Sequence, residues 1–250
     1  MGRYLGFLSY LGAGYSGYQI QNGQTTVQGE LEDRLSILLK KKIKTKGSSR
    51  TDTGVHAMNN AFHFDFDADL PEMFLKRLNA LLPEDISIIS IQSVDSEFHA
   101  RFSAIERSYI YKVYCEKNPF YKGRAFRLIG NRPDIDTMNN AASLLIKYKD
   151  FACFSKAHSG VKTTLCDIKY AKWDMISEEE YVFHIRSNRF LRGMVRGIVG
   201  SLLRVGKGMW SVEEFEEMVR SKEPYTADFS APAEGLYLEK VIYKGLDEAI

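Results

Sequence analysis

From Phe62 to Asp67 the chain reads Phe-His-Phe-Asp-Phe-Asp, with aromatic and polar residues in strict alternation. Only extended backbone sends successive side chains to opposite faces, so the stretch predicts a β-strand with one apolar face and one wet face. Residues 3–10 also read as a strand, and Val27, Leu31, Leu35 and Leu38 recur at helical spacing ahead of the run Lys40-Lys41-Lys42. A polar turn containing Gly47 and Gly54 leads into the alternating strand. Pro71 opens a predicted helix to about Leu82, and Ile86 to Ile91 forms a further strand. The first part of the chain thus reads β-α-β-α-β.

The remainder repeats this style of order. A strand is predicted near 108–115, with Tyr109, Tyr111 and Val113 on one face, then a helix over 135–147 and strands near 165–175 and 181–187. A helix over 190–204, an acidic helix over 211–220 and a last strand over 236–243 complete it. With no short repeat and no Pro/Ser-rich linker, this predicts two joined domains, 1–100 and 101–250. Each is an α+β unit of ferredoxin-like or RRM-like size. The groove between such halves is the expected ligand site.

Composition narrows the class. Of 250 residues, 44% are apolar and 26% charged, and apolar runs are short, which excludes disorder, collagen, coiled coil and a membrane span. The start Met1-Gly2-Arg3-Tyr4-Leu5-Gly6 has neither a signal-peptide cleavage pattern nor a myristoylation signal, so the expected location is the cytoplasm. Cys115, Cys153 and Cys166 are odd in number and widely spaced, as reduced thiols are. Net charge is only +2, yet the basic residues are concentrated. Residues 101–132 carry Arg101, Arg107, Lys112, Lys117, Lys122, Arg124, Arg127 and Arg132 against Glu106 and Glu116, while residues 186–207 carry six Lys/Arg and no acid. Such segments are either solvated charged faces or an electrostatic footprint for phosphates.

Several motifs fail on context. Gly12-Ala13-Gly14-Tyr15-Ser16-Gly17 has the G-x-G-x-x-G spacing of a dinucleotide site, but Tyr18 to Gly23 continues as loop where that site needs a helix. The segment reads as a flexible loop whose bare amides could touch phosphate, or more plainly as an ordinary surface loop. Asp65, Asp67 and Asp69 lack a turn glycine and a following glutamate for calcium, and His56, His63, His99, His158 and His184 show no zinc spacing. Arg189, Arg192 and Arg196 stand at i, i+3 and i+7, so a helix through them would present a guanidinium row suited to phosphates. Tyr109 and Tyr111, beside the first basic segment, can stack a base or pack a core. In the Gly-bounded turn Gly47 to Gly54, Arg50 and Asp52 stand two residues apart. Close pairing would keep the carboxylate ionised, while a structural turn is the plainer reading.

With those residues in place, Arg50-Thr51-Asp52-Thr53-Gly54-Val55-His56-Ala57 resembles the R-T-D-A-G-V-H-A signature of the tRNA pseudouridine synthase A (TruA) family. Tyr10 to Gln19, Thr26-Val27-Gln28, Phe98 to Ala104, Met194 to Gly200 and Ala233 to Leu238 resemble further family blocks in the same order. The resemblance implies two α/β halves sharing a continuous, mainly antiparallel sheet, a homodimer, and a basic cleft for the anticodon stem-loop of tRNA. The implied reaction moves the uridine ribose from N1 to C5 of the base without metal or cofactor. Carried over by position, Asp52 would be the catalytic carboxylate, Arg50 would hold the flipped nucleotide, and Tyr109 would contact uracil. Arg196 would pair with Asp52, Leu236 would line the pocket, and Arg101, Arg189 and Arg192 would meet RNA.

Leu11, Tyr18, Thr53 and Ser48-Ser49 depart from the family pattern, where Asp, Trp, Ala and Ala-Gly are usual. A non-catalytic RNA-binding protein and a pseudouridine synthase on another RNA are the alternative readings that these departures leave open.

Overall fold

The computed structural model describes residues 2–155 and 162–246; His158 lies outside them. Among the described residues the fold is mixed α/β, with five α-helices and a large, mainly antiparallel sheet. The chain divides into two compact units, one of 1–105 with 237–250 and the other of 106–236, so the last strand returns to the first unit.

The first unit holds β1 (Gly2–Tyr10), β2 (Thr45–Gly47), β3 (His56–Phe66), β4 (Ile86–Val94), α1 (Val27–Leu39) and α2 (Phe74–Leu81), and the final strand β9 (Leu236–Tyr243). Its strands run in the order β4-β1-β3-β9, antiparallel except for β3 beside β9, where His56 pairs with Tyr237 and Ala57 with Leu238. The three-residue β2 was not expected from sequence; it pairs with β3 from Thr45↔Phe64 to Gly47↔Phe62. Helix α1 begins where the Thr26 hydroxyl accepts the Gly29 amide, and it buries Val27, Leu31, Leu35 and Leu39. On the same helix Glu32 is buried, because its carboxylate accepts the Thr45 amide (2.8 Å), the Gln28 side-chain amide (3.0 Å) and Lys44 (2.9 Å). A glutamate inside the helix core is thus the fastener between α1 and β2.

The second unit holds β5 (Ala104–Tyr114), β6 (Phe126–Arg127), β7 (Ile168–Ser177), β8 (Glu180–Ser187), α3 (Ile135–Leu144), α4 (Met194–Gly206) and α5 (Val212–Ser221). Strand order is β5-β8-β7, antiparallel, with β6 added in parallel to β5. Helix α3 is capped by Asp134 and α5 by a capping box of Ser211 and Glu214. Helix α4 buries nearly every residue, from Met194 and Val195 to Leu203 and Val205. It starts four residues later than expected, since Gly193 holds a left-handed backbone (φ 75°) that a right-handed helix cannot pass through. Arg189 and Arg192 therefore lie in the connection before α4, and the expected helical row of three arginines does not form; only Arg196 is helical. Cys115, Cys153 and Cys166 are free, and burial pushes the Cys153 thiol up to about 12 and the Cys166 thiol to about 11.

The alternation that predicted β3 holds, with Phe62 and Phe64 buried. Its second face is not uniformly wet. Asp65 pairs with its cross-strand partner Arg3 (Oδ1 to Nε 2.7 Å) and Asp67 with Lys41 (2.6 Å), while His63 is 4% exposed and its Nδ1 accepts the Ala100 amide (3.1 Å). Burial first, then the charges of His99 and Arg3, lower His63 to about 4. Native His63 therefore stays neutral where the unfolded chain would protonate it near 6.5. Stability from this group is full above pH 6.5 and is lost as pH falls from there to about 4, by up to about 3 kcal/mol. Urea titrations between pH 7 and 4.5 should show this loss in the wild type and a shallower one in His63→Asn, whose side-chain carbonyl still accepts the Ala100 amide. Equal slopes would show that His63 titrates alike in both states.

Candidate active site

The connection from β2 to β3 carries Arg50 and Asp52, and its shape follows from what lies beneath it. Asp52 and Val55 close a turn through the Asp52 carbonyl and the Val55 amide (3.1 Å), with Gly54 left-handed at φ 79°. Before the turn, the Thr51 carbonyl accepts the Tyr18 amide (3.2 Å), and the Thr51 hydroxyl lies 2.8 Å from the Tyr10 hydroxyl. Asn60, fully buried on β3, finishes the support. Its Oδ1 accepts Ser48 Oγ (3.0 Å) and the Ala61 amide (2.9 Å), and its Nδ2 donates to the Ser49 carbonyl (3.3 Å) and the Tyr10 hydroxyl (3.4 Å). With its inner side held in this way, the turn leaves Asp52 half-buried and Arg50 and Thr53 exposed.

The glycine-rich segment 12–17 is the other half of this support. It is not the open surface loop that sequence suggested. A Cβ on Gly12 would stand 2.0 Å from the Val55 carbonyl oxygen, and one on Gly17 would stand 2.6 Å from that of Thr51, with Gly17 at φ 87°. Bare backbone therefore packs against both ends of the Asp52 turn. The Gly12 amide donates to His56 Nδ1 (3.0 Å), which makes Nδ1 the acceptor of that ring, and the ring stacks on Tyr237 at 4.5 Å. The G-x-G-x-x-G spacing thus serves close packing. Tyr18, standing where tryptophan is usual, is buried with its ring against Gly47, where a Cβ would come within 2.3 Å of it.

In the second unit, Tyr109 on β5 is half-buried with its ring edge-on to Phe190 (5.2 Å, 86°). Tyr111 is fully buried, so it is not a stacking surface; its hydroxyl donates to the Pro232 carbonyl (2.8 Å). That bond anchors the turn Ala233–Gly235 directly ahead of Leu236, the buried first residue of β9. Arg196, in the first turn of α4, donates from Nε to the Ala231 carbonyl (2.6 Å) of the same segment. Arg189 is half-buried and Arg192 exposed in the connection before α4, and Arg101, in the first unit, is exposed. The structure thus brings Arg50 and Asp52 onto one turn, and ties Arg196 and Tyr111 to the segment that leads into Leu236. Asn60 has no part in the sequence reading, where Tyr10 stands only within a family block and Ser48 only as a departure; all three hold the Asp52 turn. An asparagine in the middle of an apolar-flanked strand was the available signal, since a buried amide needs partners.

Asn60 serves four groups at once, which yields a direct test. Asn60→Leu removes every one of those partners, so we expect a loss of about 3 kcal/mol in unfolding free energy, read from urea denaturation at pH 7.5. A loss below about 1 kcal/mol would mean that water replaces Asn60 and that the turn does not depend on it.

Comparison with known proteins follows this geometry. A family model described as tRNA pseudouridine synthase matches residues 7–103 and 141–244. The chain is 41% identical over 247 residues to tRNA pseudouridine synthase A of Porphyromonas gingivalis, covering 97% of this chain and 98% of that one. It is 42% identical over 246 residues to the protein of the same name from Bacteroides thetaiotaomicron, covering 97% and 91%. With that of Bacillus pumilus the identity is 39% over 241 residues, covering 94% and 97%.

Proposed function

The chain belongs to the tRNA pseudouridine synthase family and is an isomerase, and we propose that it converts uridine to pseudouridine in the anticodon stem-loop of tRNA. The observation that carries the reading is the Asp52 turn, braced from beneath by Tyr10, Asn60, Gly12 and Gly17 and carrying a half-buried carboxylate residue. Catalysis by a single carboxylate needs that carboxylate placed before substrate arrives.

The reaction breaks the bond from ribose C1′ to uracil N1 and forms one from C1′ to C5, with the C5 hydrogen leaving as a proton and N1 taking one up. Positive charge develops on the ribose as the first bond breaks, and the Asp52 carboxylate stabilises or traps it, as a retaining glycosidase nucleophile does. A second carboxylate to activate water is not called for, because the detached uracil is itself the acceptor. Reaching the bond requires the nucleotide to leave its stack, and Arg50, exposed beside Asp52, is suited to hold it once flipped. Tyr109, its ring braced edge-on by Phe190, contacts the uracil and assists removal of the C5 proton. The family resemblance assigns Arg196 to Asp52 and Leu236 to the lining of the pocket. Arg101, Arg189 and Arg192 grip phosphates.

In this reading the enzyme works in the cytoplasm as a homodimer. The cysteines, odd in number and widely spaced, fit a reducing compartment. The departures at Leu11 and Tyr18 leave the support of the turn in place. The Leu11 amide donates to the Asp85 carbonyl (2.9 Å), and the Tyr18 amide holds Thr51.

Tritium release from tRNA transcript labelled at uridine C5 tests the chemistry, since forming the new bond expels that hydrogen. Wild type should release tritium and Asp52→Ala should not, while Asp52→Ala keeps tRNA affinity within about threefold because its role lies in the bond change. Parallel loss of binding would move Asp52 from chemistry to RNA contact, and no release by wild type with tight binding would favour a non-catalytic protein. For the phosphate contacts, Arg192→Ala should weaken tRNA binding and reduce the slope of log K against log salt by about one. An unchanged slope would return Arg192 to solvent.

A further inference from the structure

The turn from His99 to Ser103 holds an aromatic ring out in water. Phe102 is 76% exposed, yet its surroundings are closed by hydrogen bonds: Ser103 N–H to the His99 carbonyl (2.8 Å), His99 N–H to Ser103 Oγ (3.0 Å), and Arg101 N–H to His99 Nδ1 (3.1 Å). The His99 ring lies 4.4 Å from that of Phe102 and 4.7 Å from buried His63, so the exposed ring is the outer member of a packed aromatic series. The Arg101 guanidinium stands 5.7 Å from the Phe102 centroid. Lys46, exposed on β2, is the cross-strand partner of His63. Burial first, and then the positive charges of Arg3, Lys46 and Arg101, lower the basicity of His99. Arg101 thus stands beside the exposed ring, with Lys46 on the strand paired to that of His63.

We propose that Phe102, braced by His99 with Arg101 beside it and Lys46 on the neighbouring strand, is a stacking platform for an unpaired base of the tRNA other than the uridine being isomerised. An exposed aromatic ring costs solvation, and one already held by its neighbours loses little further freedom when a flat partner covers it. The charge selects the partner. A second copy of this chain would bring the same cations face to face, whereas a nucleotide brings a π-face for the ring and a phosphate for Arg101 and Lys46. A π-face is common to all four bases, so the platform reads the presence of an unstacked base and not its identity.

This inference rests on tRNA being the substrate, and the test separates the two. In the full chain, Phe102→Ala should raise Kd for unmodified tRNA transcript, and KM in the tritium assay, about tenfold, with a smaller fall in kcat. Phe102→Trp should keep both near wild-type values, and the fluorescence of the added tryptophan, taken as the difference from wild type, should be quenched when tRNA is added. Wild-type Kd and KM in Phe102→Ala, or an unquenched tryptophan, would overturn the platform while leaving the isomerase reading intact. A changed sedimentation coefficient in Phe102→Ala would overturn it in favour of a subunit contact. A wild type that neither binds nor turns over tRNA would overturn the functional reading and the platform with it.

Discussion

The structure of the first unit depends on two peptide segments that approach too closely for any side chain to stand between them. Gly12 and Gly17 lie against Val55 and Thr51 at distances that a single Cβ would violate, so β1 and the loop after it are pressed onto the Asp52 turn by their backbones. Contacts of this kind are stiff, because neither partner has a rotamer to relax into. The hydrogen bonds of Tyr10 and Asn60 then fix the turn from below, in a buried place where each unmade bond would cost about 1–3 kcal/mol. Position is thereby set by the fold itself, before any substrate contact.

The sequence made most of this architecture legible at the level of elements. The alternation in β3, the leucine spacing of α1 and the order of strands and helices all follow from periodicity, and the structure places them within a few residues of expectation. Periodicity was blind where a polar residue found an interior partner. His63 stands on the face that alternation marks as wet, yet the Ala100 amide, far along the chain, draws it inside. Glu32 sits among buried leucines because the Thr45 amide meets its carboxylate. Such pairings join residues distant in sequence and leave no local trace.

Two errors of sequence reading share one cause. Glycines at 12 and 17 were read as loop freedom, and the glycine at 193 was passed over inside a presumed helix. In both places the glycine records a constraint imposed by something outside its own window: a carbonyl pressed against its α-carbon, or a left-handed backbone that ends a helix. Composition and spacing record which residue is present but not which of glycine's properties is in use. The Asp52 turn was legible for a different reason. Its residues are read by resemblance across six ordered blocks, and resemblance carries the accumulated result of long-range constraints that spacing alone does not encode.

The division of work within the first unit follows from these constraints. A carboxylate that must meet a developing positive charge gains from rigidity, since misplacement by a fraction of an ångström weakens the interaction it exists to make. Gripping a nucleic acid asks for something else: charges and flat surfaces held at the periphery, tolerant of base identity and strengthened by low salt. In the proposed reading, bare backbone and buried amides around Asp52 meet the first demand, and Arg101, Lys46 and an aromatic ring that remains in water meet the second. The near-neutral total of +2 fits this arrangement, because a few cations placed at such surfaces attract a polyanion locally. The acids elsewhere have other partners: Asp65 ties the paired ends of β1 and β3 through Arg3, and Asp67 meets Lys41 just after α1.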